Sequence, residues 1–317
     1  MPAAFDLRRL DVPIVQAGMG TVARHELATA VSEAGALGTI AGARADIAAE
    51  IAAARKLTGR PIAVNLLLPF VRPGDVEAAA AADVVVTFWG TPRRLAPNTW
   101  IHQCGSVDEA RAAAAAGADA VIAQGVEAGG HVRGTTPAVE LLEQIRTAVK
   151  IPVLVAGGIV DAHDVQQALD AGAAAAVVGT RFLLSDECRA HPAYKQRCLE
   201  AGETVLTELF GLGWPDAPHR VIPNGATRRW LRHGDRGPAW IRTSNRMTTR
   251  LANLMPASVQ DRAVNTQFGR LPFLVAQPPT DDGPAALIEE RPLYAGAGVG
   301  RISEIRKAAD LVKLLTP

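Results

Sequence analysis

One histidine stands out in this chain: His131, the last residue of the run EAGGH (127–131). Two adjacent glycines let the backbone come close to something flat or bulky. An imidazole placed beside them is the side chain best suited to moving a proton near neutral pH. A solitary loop histidine serves structure just as well, so His131 stands as a candidate base or as a packed side chain. Glu127, in the same run, reads as an acid or base, or more simply as a hydrogen-bonding or surface carboxylate. Two further glycine turns follow, Gly157–Gly158 in AGGI (156–159) and Gly179–Thr180 in GTRF (179–182). Glycines just after a buried strand let backbone N–H groups approach an anion, and a following helix adds its positive end. Either turn alone also suits a plain structural bend; together, one strand–helix unit apart, they read as a phosphate cup. Gln16, Asn65 and Gln124 are neutral amides at strand ends. They suit the polar edge of a bound ring, and equally the buried backbone groups around them.

These residues need a scaffold that carries them to one face. Up to residue 185, short runs of Val, Ile and Ala alternate with Ala-rich stretches of helical length. The runs at 12–18, 37–42, 61–68, 83–89, 99–105, 119–125, 152–158 and 174–180 predict eight strands. Helices are expected between them, as in ARHELATAVSEAG, ADIAAEIAAARKLTG, VDEARAAAAAGA and DAHDVQQALDAGA. Gly35, Gly117 and Gly172 each follow a last helical turn, where a left-handed cap favours glycine. The segments 112–125 and 168–180 echo one another, which points to a repeated unit. Strands alternating with helices imply parallel pairing, and eight such units imply an α/β fold of the (β/α)8 TIM-barrel type. A doubly wound open sheet is the alternative. In the barrel, loops after the strands form the active face. QAGMG (16–20) would follow strand one, Asn65 would end strand three, QGVEAGGH (124–131) would follow strand six, and the two glycine turns strands seven and eight.

The rhythm stops after residue 185. The chain divides into a barrel over 1–199, a helical or irregular insertion or lid over 200–285, and a C-terminal segment over 286–317 that packs back on the barrel. Between Arg220 and Arg270 there are ten arginines against two acidic residues, Asp235 and Asp261. They read as a basic lid for an anionic substrate or partner, or as a helical insertion whose arginines are solvated or paired with the acidic barrel surface. Across the 317 residues, 33 basic and 32 acidic side chains leave a formal charge of +1, which gives no case for nucleic acid or acidic membranes. Cys104, Cys188 and Cys198 are too few and too scattered for a disulfide framework or a zinc site, and no metal is expected. The start, MPAAFDLRRLDVP, lacks the apolar run of an export signal, and no stretch is long enough to span a membrane. A soluble cytoplasmic protein is expected; the sequence leaves its oligomeric state open.

Taken together, AQGVEAGGHVRG, VLVAGGI and VVGTRF, at these separations, resemble the nitronate monooxygenase family, formerly called 2-nitropropane dioxygenases. The resemblance covers roughly residues 8–185 and the YAGAGVG segment at 294–300. It implies FMN bound at the barrel mouth, with Ala17, Gly18 and Met19 beside the isoalloxazine; the strand-end amide of Asn65 would then suit the edge of that ring. It further implies Gln124 and Gly129 against the flavin or its ribityl chain. Gly157, Gly158, Val177, Val178, Gly179 and Thr180 would hold the phosphate, and His131 would match the family's base. Trp89, in FWGTP, would narrow the substrate pocket. The activity so implied is oxidation of alkyl nitronates by molecular oxygen, giving a carbonyl compound and nitrite. A flavin-dependent enoyl-acyl-carrier-protein reductase using NAD(P)H shares the GGH segment, and a non-catalytic flavin binder is the third reading.

Overall fold

All eight apolar runs become parallel strands. The computed structural model describes residues 6–7, 10–232, 234–254 and 274–317, with side chains described except at 248–254. The strands are β1 (Ile14–Gln16), β2 (Gly38–Ala41), β3 (Ile62–Leu67), β4 (Val84–Phe88), β5 (Thr99–Cys104), β6 (Ala120–Gln124), β8 (Val153–Ala156) and β9 (Ala176–Val178). A two-residue strand, β7 (Gly130–His131), lies outside this set. Spatial order runs β1-β9-β8-β6-β5-β4-β3-β2. The two ends then meet, because Val15 bridges Leu37, whose N–H donates to Ile14 O at 3.0 Å. The sheet is therefore a nearly closed barrel, and the open doubly wound arrangement is ruled out.

The side-chain period of two sorts each strand into an inner and an outer face. Val15, Val86, Ile122, Leu154 and Val177 fill the barrel interior. Ile14, Val121, Val155 and Val178 face outward, into a cluster shared with Leu27, Leu141 and Ile145 from the helices. Burying each such side chain stabilises the fold by roughly 1.5–3 kcal/mol.

The outer helices are α1 (His25–Glu33), α2 (Ile47–Leu57), α3 (Pro73–Ala79), α4 (Val107–Ala115), α5 (Ala138–Ala148) and α6 (Ala162–Asp170). A four-residue α7 (Thr180–Leu183) and α8 (Pro192–Glu200) follow β9. Starts are set locally: Asp46, Ser106 and Asp161 each accept from a backbone N–H in the first turn. Stops are glycine caps, with φ of +94° at Gly35, +85° at Gly117 and +87° at Gly172. One unit lacks its helix. Between β4 and β5 the chain runs as an irregular loop, and Pro92 and Pro97 in it cannot supply helical N–H donors. Near the C-terminus, α11 (Ala308–Leu315) packs against α1 and α6, in the gap where the helix ring would otherwise stay open.

The stretch after residue 200 is less purely helical than its sequence implies. It contains β10 (Val205–Thr207), β11 (His219–Val221), α9 (Gly225–Trp230) and α10 (Ala239–Leu254). The two strands form an antiparallel sheet with β7, which pairs His219 with His131 and Arg220 with Gly130. No helix among the described residues is long and apolar enough to cross a membrane.

Candidate active site

The residues singled out from sequence gather at the C-terminal ends of the strands. Ala17 N donates to Val178 O at 2.9 Å, tying the exit of β1 to that of β9. Gly18 packs against Asn65 so closely that a Cβ on it would lie 2.5 Å from Asn65 Cβ. The YAGAGVG segment crosses three strand exits. At the β6 exit, Ala297 N donates to Glu127 O at 2.9 Å. At β9, Gly296 N donates to Thr180 Oγ1 at 2.9 Å. At β8, a Cβ on Gly298 would meet Gly158 O at 2.7 Å. Gly129 is the matching concession from the barrel, since its Cβ would lie 2.6 Å from both Ala295 C and Gly296 N.

Three glycines face space instead. A Cβ on Gly130 would meet nothing within 4 Å, one on Gly158 only Glu127 Cβ at 3.6 Å, and one on Gly179 only Ala17 Cβ at 3.7 Å. Main chain at the exits of β6, β8 and β9 thus fronts room that no protein atom fills, which suits a ligand laid along the backbone, such as FMN. Gly157 and Gly158 hold φ of +131° and +75°, values that a side chain would resist. The helices contribute less here than the sequence implies. The start of α6 is already closed by carboxylates: Asp161 accepts from Asp164 N at 2.9 Å and Asp164 from Val160 N at 2.7 Å. α7, at four residues, is too short for an appreciable dipole. An anion at this cup would be held by backbone N–H groups of Gly157–Gly158 and Gly179–Thr180. Val177 points into the barrel and Val178 into the helix layer, so they meet such a ligand through main chain alone.

His131 sits in an aromatic box. Its ring stacks on Trp214 at 3.9 Å and 19°, with Trp89 edge-on at 6.1 Å, His219 at 5.2 Å and Tyr294 at 5.6 Å. Burial, and then the neighbouring His219, hold its imidazole well below the ordinary histidine value, so it is neutral at physiological pH. Its Nε2 is buried without a hydrogen-bond partner, and so is Trp214 Nε1. Its backbone is fixed from two sides: Gln124 Nε2 donates to His131 O at 2.8 Å, and β11 pairs with it from the other. Arg133 N donates to Gln124 Oε1 at 3.2 Å, so both ends of that amide are engaged in holding the β7 turn. Trp89 adopts φ +64°, costly for a residue with a Cβ, and the Arg133 guanidinium lies 5.0 Å over its ring. His219 is satisfied at both nitrogens: Nδ1 donates to Ala217 O at 2.9 Å and Nε2 accepts from Phe210 N at 3.3 Å. Its pKa falls to about 4 through burial.

Some sequence expectations shift. Gln16 shares the outward face of β1 with Ile14, and its Oε1 accepts from Thr39 N at 2.9 Å, so it serves the barrel wall and not a bound ring. Glu127 caps α5 by accepting from Ala138 N at 3.0 Å. Met19 packs against the larger core cluster. The arginines after residue 220 are largely spoken for. Arg236 and Arg242 pair with Glu208, Arg246 with Asp216, Arg228 with Glu289 and Arg229 with Glu290. Their partners come from the insertion and the segment after it, not from the barrel surface. The side chain of Arg250, and Arg262 and Arg270, lie outside the described residues. The sequence reading passed over Trp214, His219 and Tyr294 as site residues. Only Tyr294 carried a signal, as the first residue of YAGAGVG; Trp214 sits in an irregular Gly/Pro stretch with no periodicity to mark it.

Known proteins share this fold. FabK from Thermotoga maritima superposes with a TM-score of 0.75 at 29% identity, covering 98% of this chain and 93% of that one. A nitroalkane oxidase structure from Streptomyces ansochromogenes gives 0.73 at 31% identity, covering 98% and 96%. An octahydro-indene-carboxyl-CoA dehydrogenase of Mycobacterium tuberculosis is 37% identical over 68% of this chain, a match that spans only 64% of that relative's own length. The family model for nitronate monooxygenase matches residues 2–92 and 93–317. With a barrel of this form and a family match along nearly its whole length, the chain belongs to the nitronate monooxygenase family of oxidoreductases.

Proposed function

We propose that this protein is an FMN-dependent oxidoreductase acting on acidic carbon, with alkyl nitronates and their parent nitroalkanes as substrates and molecular oxygen as the final electron acceptor. The observation that carries this reading is His131: a neutral imidazole whose Nε2 is buried without a partner among aromatic walls. A buried polar atom left unpaired costs about 1–3 kcal/mol, which a substrate hydrogen bond or an incoming proton would recover. The backbone of Gly157, Gly158, Gly179 and Thr180 would hold the phosphate, and Ala17, Gly18, Asn65 and Gly129 would border the ring. Bound there, FMN supplies a two-electron acceptor. His131 Nε2 takes the proton from the carbon beside the nitro group, while Trp89, Trp214 and Tyr294 hold the alkyl part and exclude water.

A second reading has one observation in its favour, the 37% identity to a carboxyl-CoA dehydrogenase. An acyl thioester also carries an acidic carbon, and the same base would serve it. The enoyl-acyl-carrier-protein reductase reading gains little from the arginine-rich segment, because five of those arginines face carboxylates of this chain. Anaerobic mixing of the purified yellow protein with a nitronate, an acyl-CoA or NADH, following the flavin's visible absorbance, separates the three. Bleaching by nitronate, reversed by oxygen, is expected. Bleaching by acyl-CoA or NADH alone would transfer the assignment, and a colourless protein that FMN cannot reconstitute would end the flavin reading.

A further inference from the structure

A second cavity, of about 220 Å³, opens beside the barrel mouth. Arg24, Arg44, Arg189 and Arg291 line it, against two carboxylates, Asp281 and Asp282. Two of its lining residues lie close along the chain to residues of the candidate active site. Thr21, on its wall, lies three residues after Gly18, and Arg291 three residues before Tyr294, so each Cα pair is within about 11 Å. Pro278, on another wall, would lie 3.8 Å from a Cβ on Gly20.

The arginines are held in place. Arg24 Nη1 donates to Ala41 O at 3.0 Å, anchoring that guanidinium to the exit of β2. Arg44 Nε and Nη1 lie 2.9 and 3.2 Å from the Gln277 amide oxygen in the orientation that satisfies both residues. Carboxylates offset part of the charge: Arg189 pairs with Glu26, and Glu50 acts on Arg24 more strongly than Arg189 does, whereas Arg291 is lowered by burial and then by Arg44. Thr21 Oγ1, also on the wall, is buried without a hydrogen-bond partner. Several guanidinium groups and a spare hydroxyl around a fixed cavity are a donor set for phosphoryl oxygens. The volume holds a phosphoryl group with ordered water, one water taking roughly 30 Å³.

We propose that this cavity is a phosphate subsite that takes the phosphorylated nucleotide tail of a substrate that reacts at the flavin site. That the tail belongs to a substrate of the flavin site rests on the acyl-CoA and NAD(P)H alternatives above, not on the nitronate reading; binding of the phosphates rests on neither. Two tails share the chemistry, the 3′-phosphoadenosine end of coenzyme A and the 2′-phosphoadenosine end of a nicotinamide dinucleotide phosphate. Isothermal titration of the flavin-loaded protein with adenosine 3′,5′-bisphosphate, adenosine 2′,5′-bisphosphate and pyrophosphate tests the proposal. At least one nucleotide should bind more tightly than pyrophosphate, and the preferred isomer identifies the tail. Arg44→Glu should weaken that binding at least about tenfold, the loss expected for a charge-assisted hydrogen bond. Arg189→Ala should weaken it too. Both side chains are exposed, so flavin content and melting temperature serve as fold controls. No binding at millimolar nucleotide, equal binding by Arg44→Glu, or binding of pyrophosphate alone would each overturn the proposal. Failure of the flavin reading would appear separately, as protein that cannot be loaded with FMN.

Discussion

The proton chemistry proposed here falls on a histidine that starts uncharged. Burial and His219 push the His131 pKa down, so the base form persists well below pH 6.5. With a neutral nitroalkane, kcat/KM should therefore show no acid limb between pH 6 and 7; an inflection near 6.5 would mean a solvated imidazole. His131→Ala should keep its FMN but slow nitroalkane turnover by roughly 10²–10⁴-fold, the range for a lost general base. Preformed nitronate needs no deprotonation and should suffer much less. Equal losses on both substrates would make His131 a positioning group. The sequence marked this residue because EAGGH has a local signature. It did not mark Trp214, whose contact with His131 depends on how the insertion folds over the barrel. The amides carried the same ambiguity: nothing in the sequence separates Gln16, turned into the barrel wall, from Asn65 against Gly18.

The turns and the segment above them make different demands on glycine, and two substitutions separate those demands. Gly129→Ala would drive a Cβ to 2.6 Å from the backbone of Ala295 and Gly296. Overpacking of this kind costs about 1–3 kcal/mol, so the melting temperature should fall by several degrees. Gly179→Asp has only Ala17 Cβ near it, at 3.7 Å, and φ of −106°, so the fold should hold. Its carboxylate would repel a phosphate, and FMN should be lost. Circular dichroism and released flavin measure both; a fully loaded Gly179→Asp protein would mean that the phosphate lies elsewhere. At this scale the sequence was most legible where pattern and punctuation agree. Every barrel strand falls inside its predicted run, because Val/Ile/Ala stretches bounded by glycine caps leave little choice. β7 and β11 escaped, because two or three residues carry no period and their pairing joins segments about 90 residues apart. The missing helix between β4 and β5 was legible only as two prolines.

Two buried histidines lie in different parts of the molecule, His102 on β5 of the barrel and His219 in the small sheet. Both have pKa values lowered to about 4, chiefly by burial. An unfolded histidine titrates near 6.5, so the unfolded chain takes up the proton first. Stability is thus full above about pH 6.5 and is lost as pH falls toward 4, by roughly 3 kcal/mol for each residue. Urea unfolding at pH 7 and pH 4.5 should show this as one cooperative transition moved to lower urea. Two separated transitions would mean that barrel and insertion unfold independently, and an unchanged midpoint would mean that these imidazoles are solvated.

The position of α11 also bears on how the protein is made. Its buried Leu311, Val312 and Leu315 join the cluster that holds Leu27 and Val31 of α1. On the ribosome, α1 emerges about 275 residues before α11, roughly 14–55 s at 5–20 residues per second. Throughout that interval the apolar side of α1 lacks its final cover, and for roughly its first half β1 lacks its neighbour β9. The nascent chain therefore spends most of its synthesis as a partial barrel with sticky edges, the form that chaperones bind.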